Sequence, residues 1–139
     1  MKPRYIIFTK AIGLFFFSIF FNSAISQTYY GSQADNLLKN SDLIRMNERS
    51  TIPEFFRLSK SISFSDTGFQ DWLKKHFNIQ SGLTLELKKT EVDQIGFTHY
   101  RYQQLYNNIP ILGKYYYAHI KESRLVSANG VLFNQITTI

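Results

Sequence analysis

The stretch from Gly96 to Ile120, GFTHYRYQQLYNNIPILGKYYYAHI, concentrates the side chains that could do chemistry. It holds two of the three histidines and six of the nine tyrosines of this 139-residue chain, and it contains no carboxylate side chain. Histidine carries protons and binds metals near neutral pH, whereas tyrosine rings stack on bases or pack in sheets. The stretch is therefore a candidate active site, a candidate nucleic-acid platform, or part of a β-sheet.

Metal chemistry is not supported by the spacing of the histidines. A zinc protease needs two histidines one helical turn apart beside a glutamate, and no H-E-x-x-H occurs in the sequence. His76, His99 and His119 are 23 and 20 residues apart, so no local element joins them. A hairpin turn at Asn107 and Asn108 would place His99 opposite Tyr116, and not opposite His119. We expect each histidine to be a half-buried ring, and we expect no metal or cofactor site.

Other catalytic patterns are also missing from the sequence. It has no cysteine, no serine in a G-x-S-x-G turn, no P-loop and no G-x-G-x-x-G. The carboxylates that could act as acid or base are expected on strand faces and turns as ordinary solvated charges; they are Glu86, Glu91, Asp93 and Glu122. The sequence therefore predicts that this chain is not an enzyme.

A helix and several strands would position these side chains. Residues Gly68 to Asn78 place one apolar face at helical spacing, made of Phe69, Trp72, Leu73, His76 and Phe77. Thr67 followed by Gln70 matches a capping box at the start of this helix. After Gly82 the period changes to two, which is typical of a strand.

The second half of the chain predicts an antiparallel meander. One strand covers Phe97 to Tyr106, Asn107 and Asn108 form a type I′ turn, and a return strand runs from about Ile111 to Ile120. A short strand is expected over Arg124 to Ala128, a second hairpin turn at Asn129 and Gly130, and one more strand from Val131. The predicted fold class is α+β, with one amphipathic helix packed on an antiparallel β meander in a single small domain.

The front of the chain reads as an export signal. Lys2, Arg4 and Lys10 precede the apolar run from Ala11 to Phe21, which is well short of the roughly 20 residues needed to span a bilayer. We expect residues 1–26 to be a signal peptide cleaved near Ser26–Gln27, so that the chain meets the membrane only transiently and is secreted or periplasmic. Residues 27–49 are expected to be a leader or linker, and residues 50–139 the folded domain.

Nucleic acid is not the expected partner. The formal charge of +6 contains three basic residues of the signal peptide, which has no acidic ones, so cleavage lowers it to +3. This weak charge offers little attraction to phosphates. The tyrosines are expected to pack across strands of a sheet.

The hairpin resembles the amino-terminal propeptide domain of secreted thermolysin- and fungalysin-type zinc metalloproteases. The resemblance covers roughly residues 50–133. The matching pattern is a glycine, H-x-R-x-Q-Q, an aromatic, a turn, a proline, a second glycine, a histidine strand and N-G. Its positions are Gly96, His99, Arg101, Gln103, Gln104, Tyr106, Pro110, Ile111, Gly113, His119, Asn129 and Gly130. Asn108 stands where the family usually has glycine, and asparagine can keep the turn.

The resemblance implies a non-catalytic domain that inhibits a thermolysin-type protease and assists its folding, in cis or in trans. It implies that zinc is held by the protease and not by this chain. The motif residues are candidate partner contacts, although their polar groups could instead satisfy buried backbone in the sheet. The alternative is an exported binding or adhesion module whose tyrosine-rich sheet recognises a peptide or a saccharide.

Overall fold

Seven antiparallel strands form a single sheet in the computed structural model, which describes residues 26–47 and 50–137. In chain order they are β1 (Ser26–Tyr30), β2 (Ser41–Asn47), β3 (Phe55–Ser63), β4 (Leu83–Val92), β5 (Phe97–Tyr106), β6 (Ile109–Lys121) and β7 (Arg124–Gly130). Their order across the sheet is β1-β2-β3-β7-β6-β5-β4. The sheet therefore joins two meanders, β1 to β3 and β4 to β7, through the pairing of β3 with β7.

Two helices accompany the sheet, α1 (Ser32–Leu37) and α2 (Asp66–Phe77), where the sequence predicted one. The segment expected to be a leader or linker, residues 27–49, contains β1, α1 and β2 wherever it is described. Ala34 and Leu38 lie one helical turn apart and are buried in the core, which is what packs this short polar segment onto the sheet. The predicted signal peptide lies outside the described residues except for Ser26, and no described helix is long and apolar enough to cross a membrane.

The helix α2 begins earlier than its sequence pattern predicts. Its cap is Ser65 and not Thr67, because the Ser65 hydroxyl accepts a hydrogen bond from the Gly68 N–H at 3.1 Å. Gln70 does not close a capping box; its side-chain oxygen accepts from the Leu85 N–H at 2.5 Å instead. The side chain of Gln70 thus ties α2 to β4.

The core lies between α2 and one face of the sheet. α2 buries Phe69, Leu73 and Phe77, and the Phe69 ring centre lies 5.3 Å from that of Tyr102 on β5. Each large apolar side chain buried in this way contributes about 1.5–3 kcal/mol. His76, which the pattern placed on the apolar face, is exposed. In the sheet, β3 and β4 lie on opposite sides of the three strands β7, β6 and β5. The connection through α2 therefore crosses the core face of the sheet. It leaves the opposite face, which we call the open face, uncovered.

The second predicted hairpin turn, at Asn129 and Gly130, is wrong. Both residues belong to β7, which pairs with β6 on one side and β3 on the other, and residues 131–133 do not form a strand. A Cβ atom at Gly130 would lie 2.2 Å from the Tyr115 carbonyl oxygen. The glycine is therefore required by the close approach of two strands and not by a turn.

Candidate functional site

His99 and His119 face each other across β5 and β6, and their Nδ1 atoms are 2.7 Å apart. The sequence-based register, which set His99 opposite Tyr116, is therefore wrong. The predicted turn itself is present, since Asn107 and Asn108 have φ values of 47° and 66°. The register changes further along the hairpin.

A bulge in β6 shifts the register. Next to the turn Leu105 pairs with Pro110, but the following pair joins Gln103 to Tyr115, so that the segment Ile111 to Lys114 faces the single residue Gln104. Gly113 within this segment has φ 74°, a left-handed conformation that glycine adopts without strain. The three extra residues bring His119 opposite His99.

Gln103 holds the bulge in place. Its side-chain nitrogen lies 2.7 Å from the Ile111 carbonyl oxygen and 3.0 Å from that of Lys114. The Gln103 side chain is buried, so these contacts satisfy carbonyl groups that regular strand pairing would otherwise satisfy. Gln103 is thus a positioning residue for the two histidines.

The histidine pair is the middle of a four-residue chain of hydrogen bonds, which we call the histidine relay. His99 Nε2 donates to Asp93 Oδ2 at 3.1 Å, and His119 Nε2 lies 2.5 Å from Asn129 Oδ1. The relay runs from the β4–β5 turn through β5 and β6 to β7. It consists of Asp93, His99, His119 and Asn129.

The hydrogen bonds of the relay bear on the pKa of His119. Asp93 and the Asn129 oxygen are acceptors, so the Nε2 atoms of His99 and His119 face them as donors. Burial lowers the pKa of His119, and the nearby charge of His99 lowers it further, against a raising effect of the Asn129 hydrogen bond.

Asp93 was expected to be an ordinary solvated charge, but its carboxylate contacts His99 and the backbone of the β4–β5 turn. Its Oδ1 accepts from the N–H groups of Ile95 and Phe97, both at 2.9 Å. The backbone hydrogen bond from Phe97, followed by that from His99, lowers the pKa of Asp93. An aspartate three residues before Gly96 is a turn pattern that could have indicated this role.

Gln104 points to the other face and fixes the segment after β7. Its side-chain nitrogen donates to the Phe133 carbonyl oxygen at 2.7 Å, and its oxygen accepts from the Phe133 N–H at 2.9 Å. Gln104 is only 1% exposed. For Gln103 and Gln104 the structure thus supports the alternative in which motif residues satisfy buried backbone.

The remaining motif residues lie either next to the turn of the β5–β6 hairpin or on the open face of the sheet. Tyr106 pairs with Leu83 and Ile109, next to the turn, and Pro110 pairs with Leu105. The Arg101 guanidinium lies 4.2 Å from the centre of the Tyr115 ring, and its Nε is shielded from solvent without a hydrogen-bond partner among the described residues. The motif therefore places its polar side chains on both faces of β5.

The described residues contain no group of three or more histidine, cysteine, aspartate or glutamate side chains that could hold a metal ion. A cavity of about 210 Å³ lies beside β7 and the segment after it, and its charged lining residues are Glu54 and Lys114. No histidine lines it. The relay lies on the sheet face, and none of its four residues lines this cavity.

Comparison with known proteins identifies the region that holds this site. Residues 84–132 match the family model described as the Fungalysin/Thermolysin Propeptide Motif. The match starts in β4 and ends two residues after β7, so it includes the bulge and all four residues of the relay. It is a propeptide motif and not a catalytic domain, and it confirms the resemblance that the hairpin residues indicated.

The chain is also similar to bacillolysin of Bacillus subtilis strain 168 and to bacillolysin of Bacillus subtilis subsp. amylosacchariticus. Each is 32% identical over 75 residues, which is 51% of this chain. The matched region is 14% of the length of each relative. The similarity is therefore to a small part of those proteins.

Proposed function

Because residues 84–132 match the Fungalysin/Thermolysin Propeptide Motif, we propose that this chain is a non-catalytic propeptide domain of a thermolysin-type secreted zinc metalloprotease. In this role it inhibits the protease domain and assists its folding, in cis as the front of a precursor or in trans as a separate chain. The observation that carries the proposal is the position of the match, which spans the hairpin and its neighbouring strands.

The geometry of the motif residues supports a scaffold more than a catalyst. The side-chain amides of Gln103 and Gln104 donate hydrogen bonds to backbone carbonyl groups, and Gly130 allows two strands to approach closely. A propeptide that templates another domain needs such a fixed surface, because a preorganised surface loses less conformational entropy on binding. Zinc, in this proposal, is held by the protease domain.

The first test uses what we call the cognate protease. This is the H-E-x-x-H domain that follows Ile139 in the reading frame or, where the frame stops, the thermolysin-type protease of the same organism. The denatured cognate protease is refolded with and without micromolar chain, and the activity of the native protease is titrated with the chain. We expect a higher refolding yield and a loss of activity. No change in either would contradict the proposal.

Binding of a saccharide or peptide is the competing outcome. A pull-down with the immobilised chain from culture supernatant, run beside a glycan array, separates the two functions. Recovery of the cognate protease supports the propeptide function, whereas specific retention of a glycan without protease binding supports an adhesion module. We expect export of the chain through its signal peptide, which amino-terminal sequencing of the secreted protein checks.

A further inference from the structure

The open face of the sheet carries a line of side chains that lie opposite one another on five adjacent strands. We call it the cross-strand row. From β2 to β5 it consists of Arg45, Phe55, Asn129, Tyr117 and Arg101, each paired in register with the next. Four strand spacings of about 4.8 Å separate its ends, so the backbones of Arg45 and Arg101 are about 19 Å apart.

The composition of the cross-strand row is that of a protein interface. Arginine, tyrosine and phenylalanine are enriched in the buried centres of interfaces, and charged carboxylates are depleted there. The row contains two arginines and two aromatic residues, and no carboxylate. None of its members belongs to the core that α2 covers.

The carboxylates near this face already have partners. Asp42 pairs with Arg57 at 2.9 Å, Glu91 pairs with Lys89 at 2.6 Å, and Asp93 accepts from His99. Each of these three carboxylates therefore already lies next to a basic side chain.

Three other cations of the same face, Arg45, Arg101 and Lys121, have no carboxylate partner among the described residues. Arg45 lies over the Phe55 ring at 5.8 Å, Arg101 over Tyr115 at 4.2 Å, and Lys121 over Phe97 at 5.0 Å. A ring under a cation orients it without neutralising its charge. The open face therefore has a surplus of positive charge on rigid supports.

We propose that the cross-strand row is the docking surface for a carboxylate-bearing surface of a folded protein partner, and that this partner is the cognate protease domain. The inference rests on the proposed function. Charges about 19 Å apart cannot meet one small anion such as phosphate, so the occupant is macromolecular. Two of the five members of the row, Phe55 and Tyr117, are aromatic, as in the buried centres of protein interfaces, which favours a protein over nucleic acid.

The test compares two double variants of equal charge change. Arg45→Glu with Arg101→Glu reverses the ends of the row, whereas the control, Lys60→Glu with Lys75→Glu, reverses two exposed lysines outside it. Affinity for the cognate protease is measured by calorimetry at low and high salt. We expect the row variant to bind at least about tenfold more weakly and with less salt dependence, because like charges now oppose each other. The control should stay within about threefold of the unaltered chain.

Each outcome has a defined meaning. If the unaltered chain does not bind the cognate protease, the proposed function fails and this inference fails with it. If the chain binds and both double variants bind equally well, the proposed function stands and the docking surface is wrong. Circular dichroism checks the fold, and should the glutamate variant unfold, Arg45→Gln with Arg101→Gln replaces it. A row-dependent dimer seen by sedimentation without the protease would assign the surface to a second copy and overturn the proposal.

Discussion

The Nδ1 atoms of His99 and His119 lie 2.7 Å apart because a three-residue bulge in β6 moves one strand past the other. Their rings are nearly perpendicular, with an interplanar angle of 74°. The contact makes the protonation of His119 part of the stability of the hairpin.

The free energy of unfolding should fall when the solution is acidified. The pKa of His119 is lowered by burial, so between that pKa and the ordinary value of 6.5 the unfolded chain binds more protons than the folded chain. The stabilisation is complete above pH 6.5 and is lost as the pH falls through the folded pKa of His119. Urea unfolding from pH 8 to pH 4 measures this. His119→Gln should remove part of the pH dependence, and His76→Gln, on exposed α2 surface, should not. A pH dependence that is unchanged in His119→Gln would contradict the relay.

Asp93 should add a second loss of stability at lower pH. Its folded pKa lies below the ordinary 3.8, mainly because of the Phe97 N–H, so its stabilisation is present above that value and lost as the pH falls through the folded pKa. Asp93→Asn should flatten the unfolding curve in this acidic range, and Asp71→Asn on α2 serves as the control. If Asp93→Asn and Asp71→Asn both lose as much stability at acidic pH as the unaltered chain does, Asp93 is not the source of that loss.

The register can be tested by engineered disulfides, because the chain has no cysteine of its own. Residues directly opposite in an antiparallel pair have Cα atoms about 4.5–5.5 Å apart, within the range that a disulfide bridges. His99→Cys with His119→Cys should therefore oxidise readily. The matched pair His99→Cys with Tyr116→Cys follows the register without a bulge and should remain reduced. Mass spectrometry after mild oxidation distinguishes them, and the reverse pattern would show that the bulge is absent in solution.

Gln104→Ala should destabilise the domain by about 1–3 kcal/mol, because it leaves the backbone of Phe133 without its partners. Gln94→Ala, at an exposed turn, should change the stability by less than about 0.5 kcal/mol. Urea unfolding gives both values. Equal effects of the two substitutions would argue against the attachment of the last segment through Gln104.

Gly130→Ala should lower the stability of the domain more than Gly113→Ala does. Its Cβ would overlap the Tyr115 carbonyl oxygen, so strands β6 and β7 must separate, at a cost of about 1–3 kcal/mol or more. At Gly113 no atom lies within 4 Å of the new Cβ, and only the left-handed backbone conformation opposes alanine, by about 1 kcal/mol. Thermal unfolding ranks the two variants. A ranking in the opposite order would mean that β7 can move away from β6.

The sequence predicted the elements whose signals are local. The helix α2 follows from the spacing of Phe69, Leu73 and Phe77, and the hairpin turn follows from Asn107 and Asn108. The motif match at residues 84–132 likewise bears out the resemblance read from the hairpin. The helix and the turn depend on neighbours within a few residues of each other, and the motif depends on residue types at fixed spacing along the hairpin.

The features that the sequence did not predict depend on distant contacts. The bulge is held by Gln103, whose partners become visible only when the two strands are paired. The turn signal at Asn129 and Gly130 is overridden because β7 has a neighbouring strand on each side. The helix α1 has too few apolar residues for a periodic signal, and it is fixed by burial of Ala34 and Leu38.

The pairing of β3 with β7 has a consequence for the order of folding. It joins Phe56 to Ala128, so the loop that must close contains α2 and the whole hairpin. Contacts of such long sequence separation form slowly, because the loop entropy is lost before the contacts are gained. While the chain is being synthesised, β3 has one unpaired edge until residues 124–130 have been made. The last strand to be made is therefore the one that converts two separate meanders into one sheet.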